Sequence, residues 1–186
     1  MYYHASQVAN IKVLAPRISN HNCPLVYFSA KRENVLVYLS NAVEKYCKET
    51  GFQYGGYWKK WGPYGFEVDG TLRLEEYYPN ALEETYKGVS GYIYYTEKIP
   101  NPQENIQISN AVTTSECVAV EGCEYIPDAY EAIMEATKQG LIKLQRYEEM
   151  SEQKLAWIER TVKQEYEDAF EHPEYRHFLK GKFTVL

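Results

Sequence analysis

"LVYFSAKRENVLVYLSNA", residues 25–42, carries the change of periodicity on which the fold turns. Leu25 to Phe28 form a short unbroken apolar run of the strand type. Ser29 follows in the position of a helix N-cap, with Glu33 in the first turn. Beyond it Leu36, Leu39, Val43 and Tyr46 or Cys47 recur at helical spacing through "ENVLVYLSNAVEKYCKE", until Gly51 stops the pattern. The stretch predicts a strand running into one amphipathic helix that packs on the sheet.

Upstream, "YYHAS" (residues 2–6) reads as a second short strand, and "IKVLAPRISNHNCP" (11–24) is punctuated as loop by its prolines, asparagines and serines. Downstream, the glycine- and aromatic-rich residues 52–79 read as a hairpin or two short strands joined at "VDG" (68–70). "SGYIYYTE" (90–97) is another strand, residues 98–114 a long polar connection, and "ECVAVEGCEYI" (116–126) two strand-like pieces around Glu121 and Gly122. Pro127 and Asp128 open the helical part. Ile133, Ala136, Leu141 and Leu144 follow one face with a break near Gly140, and Leu155, Ile158, Val162, Tyr166, Ala169 and Phe170 make a last stripe before Pro173. The expectation is an α+β chain: a β-rich core over residues 1–126 and a C-terminal helical segment, 127–186, packed on it as one domain.

With 26 acidic and 20 basic residues the formal charge is −6, which argues against a broad phosphate-binding surface. Nucleic acid is therefore not an expected partner. "YGGYWKKWGPYGF" (54–66) has the lysines and aromatics of a single-strand binder, but the acidic remainder of the chain favours a surface hairpin packing its own sheet. Met1 is not followed by a basic and then an apolar segment, and no run approaches the roughly 18 apolar residues of a membrane span. A cytoplasmic chain without membrane partners is expected. Cys23, Cys47, Cys117 and Cys123 show neither a CxxC pair nor zinc spacing, so no metal and no disulfide framework is expected, and the thiols should be reduced and largely buried. The 19 tyrosines suit half-buried strands and the walls of clefts where flat polar ligands stack.

Three positions stand out for chemistry: His4 in the first strand, Tyr27 in the strand before the helix, and Glu116 at the start of a late strand. Singly, each has a structural explanation: a hydrogen-bonded strand histidine, a core tyrosine, a solvated acid. In order, they resemble the three motifs of ADP-ribosyltransferase-like proteins of the histidine, tyrosine, glutamate type. Tyr3, His4, Ala5 and Ser6 match the first motif; Tyr27 and Ser29, with the helix through Ala42, match the second; Glu116 with Val118 and Val120 matches the third. The resemblance covers roughly residues 1–126.

It implies a split β-sheet core and NAD as substrate. His4, with Ser6 beside it, would hydrogen-bond a ribose hydroxyl, Tyr27 would stack on the nicotinamide, and Glu116 would support cleavage of the nicotinamide–ribose bond through an oxocarbenium-like transition state. The activity implied is ADP-ribosyl transfer or NAD glycohydrolysis, with the acceptor unspecified. Ala5 stands where the family usually has glycine, and Glu121 and Glu124 compete with Glu116 for the acid, because the register of a short strand is not fixed by sequence. The alternative is a non-catalytic relative that binds a nucleotide, a peptide or a partner protein.

Overall fold

A computed structural model describes residues 1–18, 23–56, 61–104 and 108–186. It is an α+β protein. The strands are β1 (Tyr2–Ser6), β2 (Val13–Leu14), β3 (Arg17–Ile18), β4 (Pro24–Ser29), β5 (Tyr64–Phe66), β6 (Leu72–Glu75), β7 (Gly91–Thr96), β8 (Gln103–Glu104), β9 (Ala111–Thr114), β10 (Val118–Ala119), β11 (Gly122–Ile126) and β12 (Ile142–Gln145). The helices are α1 (Ala42–Thr50), α2 (Ala81–Tyr86), α3 (Ala129–Lys138), α4 (Glu152–Asp168) and α5 (Pro173–Lys182), with 3-10 turns at Glu33–Tyr38 and Tyr147–Glu149. Two compact units interleave along the chain: Met1–Leu39, Gly65–Arg73 and Gly88–Lys143 make the first, and Ser40–Tyr64, Leu74–Lys87 and Leu144–Leu186 the second.

The first unit is built on a seven-stranded sheet of order β11-β7-β1-β4-β9-β8, with β3 added to β4. β1 pairs with β7 over its whole length, Tyr2 opposite Thr96 through Ser6 opposite Tyr92. On its other side it pairs with β4 only at Tyr3 and Ser29. β3 then takes over at Leu25 and Pro24. The sheet is therefore interrupted between β1 and β4. Residues opposite one another in an antiparallel ladder share a face. Ala5, Ile93 and Ser29 point to one face and are buried there, and the 3-10 turn Glu33–Tyr38 packs against β1. Val26, Phe28 and Tyr94 point to the other, where Leu14 of β2 and Val118 of β10 cover them.

The predicted long helix is broken. Leu36, Leu39, Val43 and Cys47 are all buried at 0 % exposure, as the helical spacing required. The chain winds as a 3-10 turn only to Tyr38 and restarts as α1 at Ala42, which Gly51 ends in the left-handed conformation at φ 68°. Ser29 caps no helix; its hydroxyl accepts from the Lys31 N–H at 3.1 Å, closing a local turn instead. The polar connection 98–114 contains β9, whose four residues are all buried. After Gly140, at φ 74°, Leu144, expected to continue a helical face, lies in β12, and Leu141 is exposed just before that strand. "VDG" does join two strands: the Gly70 N–H donates to the Glu67 carbonyl (2.9 Å), with Gly70 at φ 78°.

In the second unit α1, α2, α4 and α5 surround a core containing Val43, Cys47, Trp61, Val162, Phe178 and Leu179. α4 is capped by the Ser151 hydroxyl, which accepts from the Lys154 N–H at 3.2 Å. Pro173 does not end the helical part but opens α5, where a missing N–H costs nothing. Phe170 leaves the predicted stripe and is 70 % exposed, beyond the end of α4. Trp61 packs 5.4 Å from Phe178 and 5.8 Å from Phe183, ring centre to ring centre, so one tryptophan of the WKKW stretch is core rather than a stacking platform. Trp58, Lys59 and Lys60 lie outside the described residues. Three of the cysteines, Cys23, Cys117 and Cys123, are exposed, against the expectation of burial; only Cys47 is inside, where burial raises its thiol pKa.

Candidate functional site

His4 answers for its place in the first strand by a hydrogen bond. Its Nδ1 lies 2.8 Å from the main-chain oxygen of Tyr27, and since a carbonyl only accepts, Nδ1 carries the proton. Tyr27 O sits on the β4 edge where pairing with β1 has stopped and pairing with β3 has not begun. The imidazole takes the place of the missing ladder bond, because a main-chain oxygen left unpaired inside a sheet is costly. Phe28 stands 5.9 Å away, ring centre to ring centre.

The side chains of His4 and Tyr27 do not share a face. The pairing of Tyr3 with Ser29 and of His4 with Tyr94 puts the imidazole on the side of Phe28 and Tyr94. The half-buried Tyr27 phenol leaves on the side of Ala5 and Ser29. Ser6 shares His4's face at the end of β1, and its hydroxyl accepts from the Val8 N–H at 3.2 Å.

The three candidate acids are all exposed. Glu116 lies in the turn after β9; its N–H donates to the Thr114 hydroxyl at 3.2 Å, and its carboxylate accepts from the Asn101 side-chain amide. Glu121, before β11, accepts from the Glu97 N–H at 3.0 Å and the Thr96 hydroxyl at 3.3 Å. Glu124 accepts two hydrogen bonds from the Arg32 guanidinium, at 2.6 and 2.8 Å. That bond holds the Glu124 carboxyl below its ordinary value near 4.5. No family model, curated protein or solved structure matches this chain. Among the described residues no His, Cys, Asp or Glu cluster suits a metal ion, and no helix is long and apolar enough to cross a membrane.

One polar group beside this sheet escaped the sequence reading. Asn34, in the 3-10 turn, is 6 % exposed, and neither end of its amide has a hydrogen-bond partner among the described residues. An amide set among apolar neighbours in "ENVLVYL" was the available signal.

The Glu124–Arg32 pair gives a bounded expectation. Its side chains are 48 % and 31 % exposed, so Glu124→Gln should cost no more than about 1 kcal/mol at neutral pH. Because the native carboxyl pKa is depressed, the contribution is present above the ordinary glutamate range and is lost as pH falls through the lower native value. Urea midpoints of the two proteins should differ at pH 7 and converge as the pH falls through the lower native value.

Proposed function

We propose that the first unit is an ADP-ribosyltransferase-like module that takes NAD at the interruption between β1 and β4. The observation that carries this reading is the His4 Nδ1–H bond to the Tyr27 carbonyl at the point where the two strands part. It holds the imidazole at that point, and an imidazole can both donate and accept, the character the resemblance requires toward a ribose hydroxyl. Tyr27, on the next strand, supplies a flat ring for the nicotinamide, and Ser6 continues the β1 side of the site. Breaking the nicotinamide–ribose bond builds positive charge on the sugar. Glu116, whose carboxylate accepts from the Asn101 amide, has no ion-pair partner among the described residues, whereas Glu124 is paired with Arg32.

A second reading rests on a different observation. Because the imidazole and the phenol leave the sheet by opposite faces, a non-catalytic relative that binds a nucleotide, a peptide or a partner protein has support of its own.

One set of measurements separates the two: nicotinamide release from NAD, and thermal unfolding with millimolar NAD, for the unmodified chain, Glu116→Gln and Tyr27→Ala. The enzyme reading expects release that drops about a hundredfold in Glu116→Gln with little change in affinity, and a thermal stabilisation that Tyr27→Ala abolishes. Stabilisation without release supports the non-catalytic relative. If NAD produces neither, the NAD reading fails.

A further inference from the structure

Residues 98–114 read from the sequence as a long polar connection, and the chemistry proposed above gives most of them no part. In the first unit the start of this stretch is tied to the turn that carries Glu116. β8 pairs antiparallel with β9, Gln103 opposite Thr113 and Glu104 opposite Val112, so the chain entering β8 and the chain leaving β9 lie at the same end of the pair. Thr114, wholly buried, joins them there: its hydroxyl donates to the Pro100 main-chain oxygen at 2.6 Å and accepts from the Glu116 N–H at 3.2 Å. Beside this link the Asn101 side-chain amide donates to the Glu116 carboxylate.

Asn101 suits the place twice. Its backbone stands in the left-handed region at φ 42°, which asparagine tolerates and most residues avoid. Pro100 and Pro102 flank it, each with φ fixed by its own ring, so the backbone that presents the amide has few other conformations. Glycine would meet the conformational demand without supplying a donor. The Glu116 side chain, by contrast, is exposed and has several rotatable bonds, so without a partner it would spread over many rotamers. Stabilising a developing cation requires the charge to be in place before the cation forms. Thr114 fixes the main chain of Glu116, and Asn101 fixes its carboxylate.

We infer, on the footing of the NAD reading above, that Asn101 is the positioning residue for Glu116. Its amide selects the rotamer in which the carboxylate meets the ribose as the nicotinamide leaves. A neutral donor does this without setting an opposing charge beside the acid, as the Arg32 guanidinium does at Glu124.

The experiment measures kcat and KM for nicotinamide release from NAD by the unmodified full chain, by Asn101→Gly and Asn101→Asp, and by each of these combined with Glu116→Gln. Asn101→Gly keeps the left-handed backbone without strain and removes the amide. Expected is a fall in kcat of about tenfold or more with KM little changed, the scale of one hydrogen bond to a charged group. Asn101→Asp sets a second carboxylate against Glu116, and kcat should fall further. In the Glu116→Gln background neither change should lower the residual rate, because Asn101 acts only through a carboxylate that is no longer there. A loss of the same size in that background would mean that Asn101 supports the fold rather than the acid, and would overturn the proposal. Release that falls in Glu116→Gln but not in Asn101→Gly would overturn it too, while leaving the NAD reading standing. No release from the unmodified chain would sink both.

Discussion

Arg146→Met will lower the stability of the second unit by about 3–5 kcal/mol, the cost of leaving a buried charge without its partner. Glu76 is 1 % exposed. Its carboxylate accepts from the Arg146 guanidinium at 3.1 Å, from the Leu82 N–H at 3.1 Å and from the Tyr147 N–H at 3.4 Å. The two amides orient the carboxylate, but Arg146 is the only cation paired with it among the described residues. Methionine keeps most of the arginine stem and deletes the charge, so the loss is electrostatic rather than a cavity. Urea unfolding followed by tryptophan fluorescence reads this unit, because Trp61 and Trp157 both belong to it. The double variant Arg146→Met/Glu76→Gln, which removes the stranded charge, should recover part of the loss. A double variant less stable than Arg146→Met would show that the carboxylate still contributes without its cation, contrary to the argument.

Glu76 was invisible in the sequence for the same reason that much of the second unit was. In "LRLEEYYPN" two adjacent acids look like the polar ends of a strand, and nothing local says that both go inside, where Arg146 and Lys154 meet them from 70 and more residues away. Local patterns reported what is local. The apolar run at Leu25–Phe28, the helical spacing of Leu36, Leu39, Val43 and Cys47, and the stop at Gly51 all recur in the structure. The break between Tyr38 and Ala42 does not show in that spacing, because a 3-10 turn followed by an α-helix can bury nearly the same residues as one continuous helix. β9 was hidden by composition. Ala111–Thr114 is a β-branched, buried run, but it follows a stretch rich in Pro, Asn and Gln that reads as loop. α5 does not show in the pattern because a proline after an apolar stripe marks the first residue of a new helix as readily as the end of the old one.

The site shows the same limit. That His4 and Tyr27 lie on neighbouring strands was legible from two short early strands. Which face each side chain takes depends on a register fixed by one pair, Tyr3 with Ser29, and no sequence pattern specifies that pair. The bond from His4 to the Tyr27 carbonyl is a consequence of where β1 stops pairing, which is a property of the sheet and not of either motif.

Leu39→Ala will destabilise the first unit by about 2–5 kcal/mol, and Gly91→Ala will do so by about 1–3 kcal/mol, yet together they will cost less than their sum. Leu39 is wholly buried and lies over Gly91 of β7 so closely that a Cβ built there would come 2.5 Å from Leu39 Cδ2. Removing the leucine leaves a cavity over the strand; adding the methyl forces the leucine out of its rotamer. In the double variant the new methyl occupies part of the space the leucine vacated. Recovery is incomplete, because the same Cβ would also lie 3.0 Å from the main-chain oxygen of Ser6, which belongs to a strand and cannot swing aside as a side chain can. Far-UV circular dichroism through a urea titration measures all three, with a coupling of about 1 kcal/mol or more as the expected result. Strict additivity would mean that Leu39 relaxes freely and does not hold β7 against β1. A remaining penalty in the double variant, accompanied by shifted His4 ring resonances, would trace the strain through Ser6 to the residue two places before it, whose imidazole closes the interruption beside β4.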